Sequence, residues 1–142
     1  MKNNLLTSFL MALGLFLVSG PIFAHHGDAG RYAETVTTVT GTVVEFQFIN
    51  PHAMIFIDVK DENGKVERWQ GELGGPNTLS RGFGWTKNTL KPGDKITMIG
   101  RRLKNGSNYI GLNEMSKVIA TDSGKELFHG GGGGGAPQQA PY

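Results

Sequence analysis

Apolar and polar residues alternate with a period of two through much of the chain, the pattern of half-buried β-strands. The densest such stretch is 41–60, GTVVEFQFINPHAMIFIDVK. It predicts two strands joined by a tight Asn50-Pro51-His52 turn, rich in the β-branched and aromatic residues that suit a pleated surface. Val39, Gly41 and Val43 fall on odd positions, and Val44, Phe46 and Phe48 then take over on even ones. A one-residue change of face inside a strand is what a β-bulge produces, and bulged strands bend. After the turn, Ile55, Ile57 and Val59 share one face and Met54, Phe56, Asp58 and Lys60 the other. A long bent strand paired with a second points to a small closed barrel.

The same alternation gives a first strand over 35–49, a second over 53–60 and a third over 65–73. The Asn63-Gly64 pair between the last two favours a type I′ hairpin turn. In the third strand Trp69 and Leu73 share one face, with Arg68, Gln70 and Glu72 opposite. The period then changes. Pro76 just inside a helix start and Gly82 or Gly84 at its end predict one or two helical turns, and 86–90 predicts a second short turn of helix. Lys91-Pro92-Gly93-Asp94 fits a type II turn. A fourth strand comes next over 94–103, then a fifth over 109–120 and a short terminal one over 125–128. Five strands with one short helix between the third and fourth match the order of an OB-like barrel in the all-β class. A meander barrel or small sandwich is the alternative.

The ends of the chain do not share this pattern. Lys2 precedes an apolar run over 5–18 that is shorter than a spanning helix needs. Ser19-Gly20-Pro21 breaks the run, and Ala24 offers a cleavage point. Residues 1–24 therefore read as a signal peptide, with an uncleaved anchor as the alternative. Residues 25–34 form a polar leader and 35–129 the barrel domain. Residues 130–142 form a glycine-rich tail expected to stay disordered, because glycine has a high ordering entropy and no side chain to pack. The signal peptide implies export to the periplasm, or secretion.

Composition narrows the function. The formal net charge is only +2 and there is no cysteine. So balanced a charge does not call for nucleic acid or an acidic membrane as partner. Disulfides, thiolate catalysis and cysteine-built zinc sites are ruled out. Neither a phosphate loop nor a nucleophile elbow is present. Glu45 and Glu72 read as structural or solvated carboxylates, and His129 as incidental. The chain is expected to be a binding module and not an enzyme.

Two constellations could bind something. If cleavage occurs after Ala24, His25 carries a free α-amino group beside its imidazole, a chelate that suits copper, nickel or zinc. His26 and His52 are the candidate further metal ligands, with copper the expected metal, and Asp28 is a possible addition. The other constellation is the barrel face. Phe46, Phe48, Met54 and Phe56 read as an aromatic lining beside Asn50. Arg101, Arg102 and Lys104 rim the opposite loop. Rings beside a basic rim are how OB-folds hold ligands, which here predicts a small ligand or a periplasmic protein as partner.

A signal peptide ending in Ala-His-His, the run Gly-Thr-Val-x-Glu-Phe-Gln-Phe-x-Asn-Pro-His-Ala, the stretch from Trp85 to Asp94, and Gly-Arg-Arg-Leu-Lys-Asn-Gly-Ser together resemble a family of small exported bacterial proteins. That family is defined only as a domain of unknown function. The resemblance runs from about residue 24 to 128 and implies an exported β-barrel domain. It implies no catalytic residue. Gly27-Asp28 stands where the family usually has Ser-Phe after the histidine pair, and the polyglycine tail is an addition.

Overall fold

A computed structural model describes residues 30–131. The segment read as a signal peptide, most of the expected leader with His25 and His26, and the tail beyond residue 131 lie outside the described residues.

Among the described residues the strands are β1 (Tyr32–Gln47), β2 (Met54–Lys60), β3 (Val66–Glu72), β4 (Lys95–Leu103), β5 (Tyr109–Gly111), β6 (Lys117–Ala120) and β7 (Glu126–His129). One helix, α1 (Pro76–Phe83), lies between β3 and β4. The sheet runs β1-β2-β3-β5-β4-β6-β7, and β1 also pairs with β4. That last pairing closes β1, β2, β3, β5 and β4 into a five-stranded barrel, with β3 and β5 parallel and the other barrel pairs antiparallel. This is the OB-like closure expected from the element order.

The bend in β1 is the bulge read from its parity. Its register against β2 slips between Val43 and Glu45, so Val43 faces Ile57 while Glu45 faces Phe56. One strand thereby serves two partners, β4 along its first half and β2 along its second. Inside the barrel lie Val39, Val43, Ile55, Ile57, Trp69, Ile96, Met98 and Ile110, all buried. One end is plugged by α1 and the segment after it. Leu79, Trp85 and Leu90 are buried there, and Trp85 donates its indole N–H to the Leu127 carbonyl at 2.8 Å. Gly84 ends the helix in the left-handed region at φ 68°, which glycine adopts freely, and its N–H returns to the Ser80 carbonyl at 3.0 Å. Among the described residues the buried core falls within 32–128, so a chain beginning at His25 retains all of these residues.

Three local expectations are corrected. The Asp61–Lys65 turn is not type I′, because Gly64 alone has positive φ there. The Asp61 carboxylate accepts from the N–H groups of Asn63 and Lys65, which holds Asn63 in an ordinary conformation. Residues 86–90 form hydrogen-bonded turns and no helix, because the Thr86 and Thr89 hydroxyls take up local N–H groups. The single fifth strand over 109–120 is two. Gly111 pairs with Arg101 and Lys117 with Ile99, so residues 112–116 loop out opposite Gly100. The buried Ser116 hydroxyl donates to the Asn113 carbonyl inside that excursion.

Candidate functional site

The residues read from the sequence as ligand-binding separate in the fold. Phe46 faces Ile55 in the register, on the interior side, and meets Trp85 edge-on at 5.6 Å. Phe48 is half-buried against Phe46, also at 5.6 Å. Phe56 pairs with Glu45 and Gln70 on the outer face. The expected continuous aromatic lining is therefore split between two sides of the sheet, because the bulge puts Phe46 in the interior row and Phe56 in the exterior one. Asn50 is exposed in the turn.

The two arginines also divide. The Arg102 guanidinium lies 4.7 Å from the Trp69 ring centre and donates to the Ser107 carbonyl at 2.7 Å and the Asn108 side chain at 2.8 Å. It also bonds the Gly106 carbonyl. Its donors thus hold the β4–β5 loop in shape. Arg101 sits on the outer side, opposite Val36 and Gly111. Its Nε is buried and has no hydrogen-bond partner among the described residues.

What the fold does assemble is a cluster around Glu72, at the end of β3. Its Oε1 meets His52 Nδ1 from the β1–β2 loop. Its Oε2 accepts from the Tyr109 hydroxyl at the start of β5 and from the Tyr32 hydroxyl, at 3.4 Å, at the start of β1. Tyr32 fits there because the next strand offers a glycine: a Cβ on Gly111 would stand 2.8 Å from the Tyr32 ring. The Arg31 guanidinium lies 5.9 Å from that same ring. Thus the β1–β2 loop, the ends of β3 and β5, and the first residues of β1 converge on one carboxylate.

The electrostatics come from the contacts. Partial burial works to raise the Glu72 carboxyl, but the hydrogen bonds from Tyr109, His52 and Tyr32 outweigh it and hold the group below its usual range. Glu72 is therefore ionised at neutral pH. Burial, and then the Glu72 hydrogen bond and charge, push the Tyr109 hydroxyl well above its ordinary value, so it stays a donor. An ionised carboxylate only accepts, which puts the proton of a neutral His52 on Nδ1 and leaves the Nε2 lone pair open. The His52 side chain is 55% exposed and that of Glu72 22%. A histidine oriented by a carboxylate and more than half exposed is an arrangement suited to metal ligation.

Sequence reasoning picked out His52 but missed Glu72, Tyr32 and Tyr109. The type I′ turn expected at Asn63-Gly64 would have set Met54 opposite Leu73, so the sequence carried no correct signal for Glu72. In the structure Lys60 faces Val66, which sets Met54 opposite Glu72, next to the His52 loop. The tyrosines come from the two ends of the barrel sequence and had no local signal either. His129, read as incidental, pairs with Glu126 at 3.2 Å and packs edge-on to Phe83 at 5.3 Å. Among the described residues no three histidine or acidic side chains gather as a metal-holding group, and no helix is long and apolar enough to cross a membrane.

Comparison with curated proteins and with solved structures returns no match. The family model described as a family of unknown function (DUF6152) matches residues 14–113, which takes in the barrel from β1 through β5 and the whole Glu72 cluster. With well over half of its length covered, the chain belongs to this family of unknown function.

Proposed function

We propose that this chain is an exported, non-catalytic binding module that holds Cu(II) with His52 and the histidines of its N-terminal segment. One observation carries the reading: His52 is oriented by Glu72, and Tyr32, where the N-terminal segment enters the barrel, touches that same carboxylate. Only five residues lie between His26 and Tyr32, a reach of about 20 Å. That is enough to bring His25 and His26 to the exposed imidazole. Because the described residues supply one imidazole and one carboxylate here, the remaining nitrogen ligands must come from that segment. Nitrogen donors favour Cu(II) over Ni(II) and Zn(II).

The test is a calorimetric titration with Cu(II) of three proteins: the chain starting at His25, the same chain with one extra residue before His25, and His52→Ala. Extension should weaken binding by removing the amine–imidazole chelate. His52→Ala should weaken it separately. Zn(II) and Ni(II) should bind less tightly to the first protein. Equal Cu(II) affinity in all three would overturn the copper reading. It would leave the second one, an adaptor that takes a small ligand or a periplasmic protein on the outer face. The half-buried Met54 and Phe56 between the two loops favour that second reading.

A further inference from the structure

The first half of β1 is paired along one edge only. It runs against β4 from Val36 opposite Arg101 to Thr42 opposite Lys95, whereas β2 occupies its other edge only from Thr42 onward. In an antiparallel ladder the N–H and C=O of one residue point to the same edge, and successive residues alternate. Val43 sets the phase. Its N–H donates to the Asp94 carbonyl and its carbonyl accepts from the Gly93 N–H, both at 2.8 Å on the β4 side. Counting back, Gly41, Val39 and Thr37 also face β4. Thr40, Thr38 and Val36 turn their N–H and C=O groups to the opposite edge, beyond the last β1–β2 pair, Thr42 opposite Asp58. No described strand pairs with that edge there.

Natural sheets guard such edges with lysine, proline, charge or very short strands. On the free half of β1 the one charge is Glu34 near its start, and 35–41 reads TVTTVTG with neither charge nor proline. Its side chains are also exposed: Val36 is 48% accessible, and Thr38 and Thr40 are open. Thr40 is bonded across the outer face to Thr97 at 2.8 Å, which ties this stretch of β1 to β4.

We propose that two copies of this chain pair antiparallel through this β1 edge, so that one continuous sheet runs across a two-fold dimer. A second copy fits because 35–40, TVTTVT, is uncharged and β-branched throughout, so the edge is complementary to itself. A two-fold axis through Thr38 sets Thr38 against its equivalent and Val36 against Thr40, with side chains on matching faces. No charge opposes a like charge at the seam. The seam exchanges about six backbone hydrogen bonds. It is smaller than a permanent interface, so the dimer dissociates on dilution.

The experiment uses the chain from His25 to Tyr142 with a chelator present, which keeps copper from bridging molecules and separates this proposal from the metal reading. Sedimentation equilibrium should show the mass rise from monomer toward dimer with concentration. Thr38→Lys should stay monomeric at every concentration with an unchanged circular-dichroism spectrum. The native chain has no cysteine. Thr38→Cys should therefore cross-link to a covalent dimer on mild oxidation, because facing residues in such a pair sit at disulfide distance. Thr121→Cys, away from this edge, should not. A wild-type chain that stays monomeric up to about 1 mM overturns the proposal, as does a folded Thr38→Lys that dimerises normally. Should Thr38→Lys fail to fold, equal cross-linking of the two cysteine variants overturns it.

Discussion

At the scale of single residues, Glu72 ties the site together, and its replacement by glutamine separates charge from shape. Glu72→Gln keeps the length of the side chain but removes the carboxylate that orients His52. Loss of such a partner typically lowers metal affinity by about 10–100-fold, so Cu(II) titration of Glu72→Gln should show a drop of that size while the fold persists. The same carboxylate makes stability depend on pH. Its folded-state value is depressed, so its contribution is complete above the unfolded value of about 4.3 and is lost as pH falls through the folded value. The metal-free chain should lose stability below about pH 4.3, and Glu72→Gln should flatten that loss in denaturation curves recorded from pH 6 to pH 3. Gly100 is a different kind of residue constraint. A Cβ there would stand 2.6 Å from both the Gly111 carbonyl oxygen and Ile110 Cγ2. Gly100→Ala should destabilise by about 1–3 kcal/mol through overpacking, measured as a lower urea midpoint at unchanged slope. Gly41→Val should do the same, because its Cβ would meet the Asp58 carbonyl oxygen at 2.5 Å.

At the scale of elements, the barrel end is decided by α1 and the segment after it. Trp85 is 2% exposed, bonds the Leu127 carbonyl and meets the Phe46 and Phe128 rings edge-on at 5.6 and 6.3 Å. It joins β1, α1 and β7. Trp85→Ala should cost about 3–5 kcal/mol, read as a lower thermal or urea midpoint, and it should loosen β7 first in hydrogen exchange. The strands themselves were legible because each keeps its alternation over several residues. Ile55 and Ile57 are buried while Met54 and Phe56 on the other parity stay half-open. The break in the fifth strand was not legible. Residues 109–111 must complete the barrel beside β3, whereas 117–120 pair with the far half of β4. The five-residue excursion between them satisfies a tertiary demand that the local sequence does not record. The Asp61 turn escaped for a related reason, since a side-chain carboxylate outcompeted the backbone preference of Asn-Gly.

At the scale of the whole molecule, one closure organises the rest: β1 bends and reaches both β2 and β4. The same bend leaves half of one β1 edge unpaired, which is why the proposed dimer seam lies there. It also brings the start of β1 back over the β3 and β5 ends, where Tyr32 meets Glu72. The sequence by itself determined the all-β class, the barrel, the bulge and the place of α1, because periodicity, proline and glycine act within a few residues of themselves. It also singled out His52. Only the tertiary structure decided that His52, Tyr109 and Tyr32 would meet at Glu72, that Phe46 and Phe56 would part, and that Arg102 would serve its own loop. The Glu72 meetings depend on strand register and closure across 37 to 40 positions of chain. Side-chain hydrogen bonds reach only about 3 Å, so no local pattern encodes which distant partner arrives.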